Sequence, residues 1–168
     1  MKKVLSLIFG IGIFFAFLTS FSYAQFYELC YPGNAFTPSS NSVEYHKHID
    51  GYLYLNGPHQ FNYPVIFPAS ANGKKVSRLS VTYLDNVAGG YIRVALYKLD
   101  RWSGDATEVG ILSSSSTGSS PFIFDMNLPK GQMKARGIDN NRYAWYLYGY
   151  MSGFGENLRL YQVTVRYQ

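Results

Sequence analysis

Glu44-Tyr45-His46-Lys47-His48-Ile49-Asp50 is the densest run of chemically capable side chains in the sequence. On an extended strand residues two apart share a face, so Glu44, His46, His48 and Asp50 are expected to project together. Two imidazoles flanked by two carboxylates form a donor set suited to zinc, copper or iron. No further carboxylate follows at Tyr52 or Leu53, and His59 falls in the turn Asn56-Gly57-Pro58-His59. A metal set at these four residues therefore competes with the polar, solvated face of an edge strand. The incomplete pattern favours the second reading, and no cofactor is expected.

The second chemical resource is aromatic. The chain has 16 tyrosines, and only Tyr23 lies in the first 24 residues. On a strand over 143–151, Tyr146, Tyr148 and Tyr150 share one face, with Tyr143, Trp145 and Leu147 on the other. Flat rings with a polar tip suit the faces of pyranose sugars, but for a row on a central strand core or cross-strand packing is the favoured reading. Trp102 stands apart because Asp100-Arg101-Trp102-Ser103-Gly104-Asp105 reads as a turn. There it is a binding candidate or a lid folded over the core.

Hydrolytic chemistry finds little support. There is no Gly-x-Ser-x-Gly elbow and no His-Glu-x-x-His, and no signature surrounds the single cysteine, Cys30. The chain is not expected to be an enzyme. Cys30 cannot form an intramolecular disulfide; it is free, or it pairs between two chains. Asp85, Asp100, Asp105, Asp125 and Asp139 sit at strand ends without the spacing of a calcium loop, and most such residues cap backbone amides.

The elements that must position these groups begin with an export signal. Lys2 and Lys3 precede an apolar run from Val4 to Phe21, and Ser22-Tyr23-Ala24 supplies small residues before a cleavage point. Residues 1–24 are thus expected to be removed, which predicts an exported product, periplasmic or extracellular, with no membrane segment after cleavage. The remaining 144 residues carry 13 basic and 10 acidic side chains, a net charge of +3. The basic residues are scattered, which argues against a nucleic-acid partner.

Residues 25–42 contain Pro32-Gly33, Pro38 and a Ser/Asn cluster, and read as an extended N-terminal arm or edge segment. Residues 43–168 read as one β-domain. Nine short strands are predicted, at 43–48, 51–55, 62–67, 76–84, 91–99, 107–113, 121–125, 143–151 and 157–167, separated by Gly, Asn and Pro turns. In the last strand Leu158 and Leu160 have one parity and Val163, Val165 and Tyr167 the other, which calls for a β-bulge near Leu160–Gln162. Nine strands and no helical period predict an all-β fold: an antiparallel two-sheet sandwich, jelly-roll-like.

Pro64 to Ala71, Val76 to Asn86, Ile138 to Leu147 and Leu158 to Tyr167 together resemble a recurrent β-sandwich module of exported bacterial proteins. The resemblance spans about 64–167. It implies the sandwich fold and brings no catalytic residues. Phe67-Pro68-Ala69-Ser70-Ala71 departs from the Leu-Pro-Asp-Gly-Ala form more usual in that module.

The expected function is non-catalytic binding of a cell-surface or extracellular polymer, a glycan, through Trp102, Tyr146, Tyr148 and Tyr150. The alternative is a structural subunit of a homo-oligomer, in which arm 25–42 adds a strand to a neighbour's sheet and Cys30 locks the join. A metal-dependent enzyme at Glu44, His46 and His48 is the third reading.

Overall fold

Alternating apolar residues with β-branched and aromatic neighbours drive the chain into strands, and a computed structural model places these strands in two sheets. It describes residues 25–39, 45–114, 120–153 and 155–168; the expected signal at 1–24 and Glu44 lie outside the described residues. The strands are β1 (Tyr27–Pro32), β2 (Thr37–Pro38), β3 (Tyr45–Lys47), β4 (Leu53–Leu55), β5 (His59–Val65), β6 (Val76–Asp85), β7 (Ile92–Asp100), β8 (Ala106–Ser113), β9 (Ser120–Pro129), β10 (Tyr143–Met151) and β11 (Leu158–Tyr167). The first sheet runs β3-β4-β11-β6-β9, with β1 also paired to β11; the second runs β2-β5-β10-β7-β8. All named pairs are antiparallel. From β4 onward the chain changes sheet at each step except the β7–β8 hairpin, which is the jelly-roll habit.

All nine predicted strands are present among the described residues, the one over 143–151 with its predicted ends and the others with shifted ends. The largest shift is at β9, which runs on to Pro129 and buries Met126 and Leu128. Two further strands, β1 and β2, lie within residues 25–42, the segment expected to be an extended arm or an edge segment. In β1, half-buried Tyr27, Leu29 and Tyr31 alternate with exposed Glu28, Cys30 and Pro32. Tyr27 stacks on Tyr167 at 5.3 Å between ring centres, and the Lys74 ammonium lies 3.8 Å from the Tyr27 ring centre. Glu28 pairs with Arg166 across the same ladder.

The core is the inner face of both sheets. Leu79, Val81 and Tyr83 of β6 and Ile92, Val94 and Leu96 of β7 are buried, as their period-2 alternation requires. In β11 the register slips between Leu160 and Gln162, leaving Tyr161 as the extra residue, so Leu158, Leu160, Val163, Val165 and Tyr167 all face inward. Asp85, only 2% exposed, accepts a 2.5 Å hydrogen bond from Ser114 Oγ, which in turn accepts the Ile92 N–H at 2.9 Å. That chain of bonds pins the end of β6 to the ends of β7 and β8 and gives the buried carboxylate a hydrogen-bond partner.

Candidate functional site

The β7–β8 turn carries the most conspicuous side chain. Trp102 is 85% exposed, so the alternative of a lid folded over the core does not hold. The turn beneath it is heavily braced. Asp100 Oδ1 accepts the Trp102 N–H at 2.9 Å, and Oδ2 accepts Arg142 Nε at 2.8 Å. The backbone closes with Gly104 N–H to Asp100 O at 2.9 Å and Arg101 N–H to Arg142 O at 3.0 Å. Gly104 has φ +78, a left-handed conformation that glycine adopts without strain. Beside the indole, Asp139, Asn141 and Arg142 complete an open hollow of about 460 Å³. An exposed apolar ring on a braced turn, next to a carboxylate, an amide and a guanidinium, offers one stacking surface with donors and acceptors at its rim.

The Trp102 N–H, followed by the Arg142 hydrogen bond, holds the Asp100 carboxyl below its ordinary value of 3.8. A depressed folded pKa contributes stability above the ordinary value and loses it as the pH falls through the folded one. The Trp102 amide resonance is therefore expected to stay in place from neutral pH down to about pH 4 and to move only below it, read by ¹H–¹⁵N correlation spectra across an acid titration.

The second candidate surface is the outer face of the second sheet. Trp145, Leu147 and Met151 of β10 are buried, so Tyr146, Tyr148 and Tyr150 point the opposite way and are half-buried. The antiparallel register sets Tyr146 beside Tyr97 and Tyr148 beside Ala95 of β7. Tyr97 stacks on Tyr146 at 5.4 Å and meets Tyr148 edge-on at 6.2 Å, while Tyr91 packs against Tyr150 at 5.7 Å. The band ends near an open hollow of about 510 Å³ lined by Tyr91, Arg93, Ile111, Leu112 and Ser113. Tyr97 of β7, and Tyr91 just before that strand, belong to the band because β7 lies next to β10. Trp102 belongs to the separate hollow.

Burial raises the Tyr97 and Tyr146 phenols above the ordinary tyrosine value, with the Glu108 carboxylate adding to the effect at Tyr97, whose hydroxyl donates to Glu108 Oε2 at 3.2 Å. Burial also pushes Tyr31 of β1 up to about 12. A raised folded pKa contributes stability that is complete below the ordinary value of 10.0 and is lost as the pH rises through the folded one. The melting temperature is therefore expected to hold up to about pH 10 and then fall steeply towards about pH 12, measured by circular dichroism.

The histidine run is differently arranged from its linear pattern. Strand β3 stops at Lys47, and the chain turns through His48 to Gly51, with Gly51 N–H bonded to His48 O at 3.0 Å. The alternation that was to align four donors therefore ends after His46. His46 stacks on Tyr54 at 4.6 Å and His48 on Tyr52 at 4.5 Å, while His48 Nδ1 accepts the Asp50 N–H at 3.2 Å. Among the described residues no group of three His, Cys, Asp or Glu side chains is placed to hold a metal. Cys30 is exposed and accepts a hydrogen bond from Thr164 Oγ1 at 3.7 Å.

No protein-family model matches the chain. No curated protein matches it either. Solved structures do. A xylan-binding module, CBM15, superposes with a TM-score of 0.50 at 8% identity, over 84% of this chain and 95% of that one. TmCBM27, a carbohydrate-binding module described for specific mannan recognition, gives 0.47 at 9% identity over 86% and 99%. The low-affinity xylan-binding module CBM86 from the gut symbiont Roseburia intestinalis gives 0.44 at 12% identity over 84% and 96%. At such identities what is shared with CBM15 is the β-sandwich fold. No helix among the described residues is long and apolar enough to cross a membrane.

Proposed function

We propose that the protein is an exported, non-catalytic β-sandwich that binds a cell-surface or extracellular glycan through aromatic side chains. Trp102 leads the contacts, and Tyr146, Tyr148 and Tyr150 supply a second run of them. The observation that carries this reading is the placing of Trp102, 85% exposed on a turn locked by Asp100 and Arg142. Exposing a tryptophan while bracing its backbone fits a preorganised contact, because little ordering entropy is left to be lost on binding. Sharing the β-sandwich fold with a xylan-binding module agrees with it.

Affinity electrophoresis through gels containing soluble polysaccharides tests the proposal. Retardation by at least one glycan is expected, and equal mobility in every gel overturns it.

The assembly alternative has less support, because β1, the part of the arm that would reach a neighbour, is already paired over six residues with β11 of its own chain. Native mass spectrometry with and without reductant separates the two readings. A metal-free monomer beginning at Gln25 fits the binding module, whereas a defined oligomer lost on reduction fits an assembly joined through Cys30.

A further inference from the structure

A second hollow adjoins the one at Trp102. It has a volume of about 250 Å³, the scale of one monosaccharide, and its walls include Arg101, Asn140, Tyr143, Trp145 and the chain from Pro64 to Phe67. The two hollows are built from the same two turns. Arg101 and Trp102 are consecutive, as are Asn140, Asn141 and Arg142, and the bond from Arg101 N–H to Arg142 O joins the turns at 3.0 Å. Asn140 fastens the far wall. Its Nδ2 donates to the carbonyls of Phe67 and Pro68 at 3.1 and 3.2 Å, and its backbone N–H donates to Asn72 Oδ1 at 2.8 Å. The cavity is thus preformed.

Its chemistry is one-sided. Among the described residues Arg101 is the only charged one in the lining, and none of them there is a carboxylate. Arg101 is exposed, and its guanidinium makes no ion pair among the described residues. Other cations crowd the same wall: Lys98 Nζ lies 4.1 Å from the Tyr143 ring centre and the Arg142 guanidinium 5.2 Å from it. Asp100, the carboxylate nearest to them, is already occupied by Arg142 and by the Trp102 N–H. Ile66, 78% exposed, adds an apolar rim suited to the C–H face of a sugar ring. An unpaired, planar guanidinium in a fixed cavity is matched by a carboxylate, to which it donates two parallel hydrogen bonds.

We propose that this hollow is a second subsite of the glycan site, that it takes the carboxylate of a uronic-acid residue, and that Arg101 is the group that pairs with it. The proposal rests on the glycan reading and narrows it to acidic, uronate-bearing chains. A ligand would stack on Trp102 and set its acidic sugar or branch against Arg101.

The test uses a panel of uronate-bearing polysaccharides, each paired with its own carboxyl-reduced, neutral form, bound by the full mature protein and by three variants. Binding of at least one acidic polymer about tenfold more tightly than its reduced form is expected, from the value of a charged hydrogen bond. The gap should shrink as salt is raised. Arg101→Gln should close it by weakening the acidic polymer far more than its reduced form, Arg101→Lys should narrow it partly, and Trp102→Ala should weaken both forms. Equal binding of both forms by the parent, or an Arg101→Gln loss that is the same for both, overturns the uronate subsite and leaves the Trp102 site standing. Failure of the parent to bind any member of the panel, acidic or neutral, overturns both.

Discussion

Replacing Trp102 by alanine should abolish most glycan binding while leaving the fold as stable as before. The indole is 85% exposed and makes no part of the buried core, so its removal should change stability by no more than about 0.5 kcal/mol. Its loss from a binding site is another matter. Tryptophan is the side chain most often dominant at recognition surfaces, and truncating such a residue costs about 2 kcal/mol or more, roughly 30-fold in Kd. Isothermal titration with a polysaccharide that the parent recognises, alongside a thermal melt, reads both quantities. Tyr148→Ala, made in the outward tyrosine band, reports whether the second run of contacts belongs to the same event. Unchanged affinity in both variants would remove these side chains from the site. A fall in melting temperature for Trp102→Ala would mean that the turn, braced through the Trp102 backbone N–H, depends on the ring as well.

The largest effect on stability is expected at Gly33. This residue opens a short 3₁₀ turn directly after β1 and lies against the bulged part of β11. A Cβ there would overlap the Leu160 carbonyl, with its carbon at 2.8 Å, and come within 2.9 Å of the Leu53 backbone nitrogen. Both neighbours are backbone in hydrogen-bonded strands, so neither can rotate away, and the N-terminal segment would have to lift. Lifting it disturbs Phe36, fully buried and edge-on to Phe61 at 5.4 Å, and the six-residue ladder of β1 on β11. Gly33→Ala is therefore expected to cost about 3 kcal/mol or more, lowering the melting temperature by roughly 10 °C. Gly73→Ala is the control: its φ is +80 but its Cβ would meet open space, so only the backbone term of about 1 kcal/mol applies. Equal melting temperatures for the two variants would show that the N-terminal segment does not pack as described.

Part of this reasoning could be read directly from residue order. The alternation Leu79, Val81, Tyr83 and Ile92, Val94, Leu96 can bury only one face of a strand, and those residues are in the core. The parity change in β11 called for a bulge, and the register slips between Leu160 and Gln162. The same signal is present in Tyr27, Leu29 and Tyr31, but with Pro32-Gly33 and the serines downstream it supports no more than an extended arm or an edge segment. A six-residue alternation on its own does not say whether a partner edge exists; here the edge is β11, more than a hundred residues away.

Residue order alone dictated strand periodicity, the presence of turns and the sheet-sandwich class, because these follow from the local conformations and the two-residue repeat of side-chain direction. It also determined that Tyr146, Tyr148 and Tyr150 would share a face. Which face met solvent was decided by the packing of two sheets, which buried Trp145 and Leu147 and left the tyrosines outside. The tertiary structure alone set Arg101 beside Asn140 and Ile66, and Trp102 beside Asp139, through hydrogen bonds between turns distant in the chain. A site assembled from loop ends depends on which strands are neighbours, and strand neighbours are chosen by the burial of the whole core rather than by any segment's own pattern.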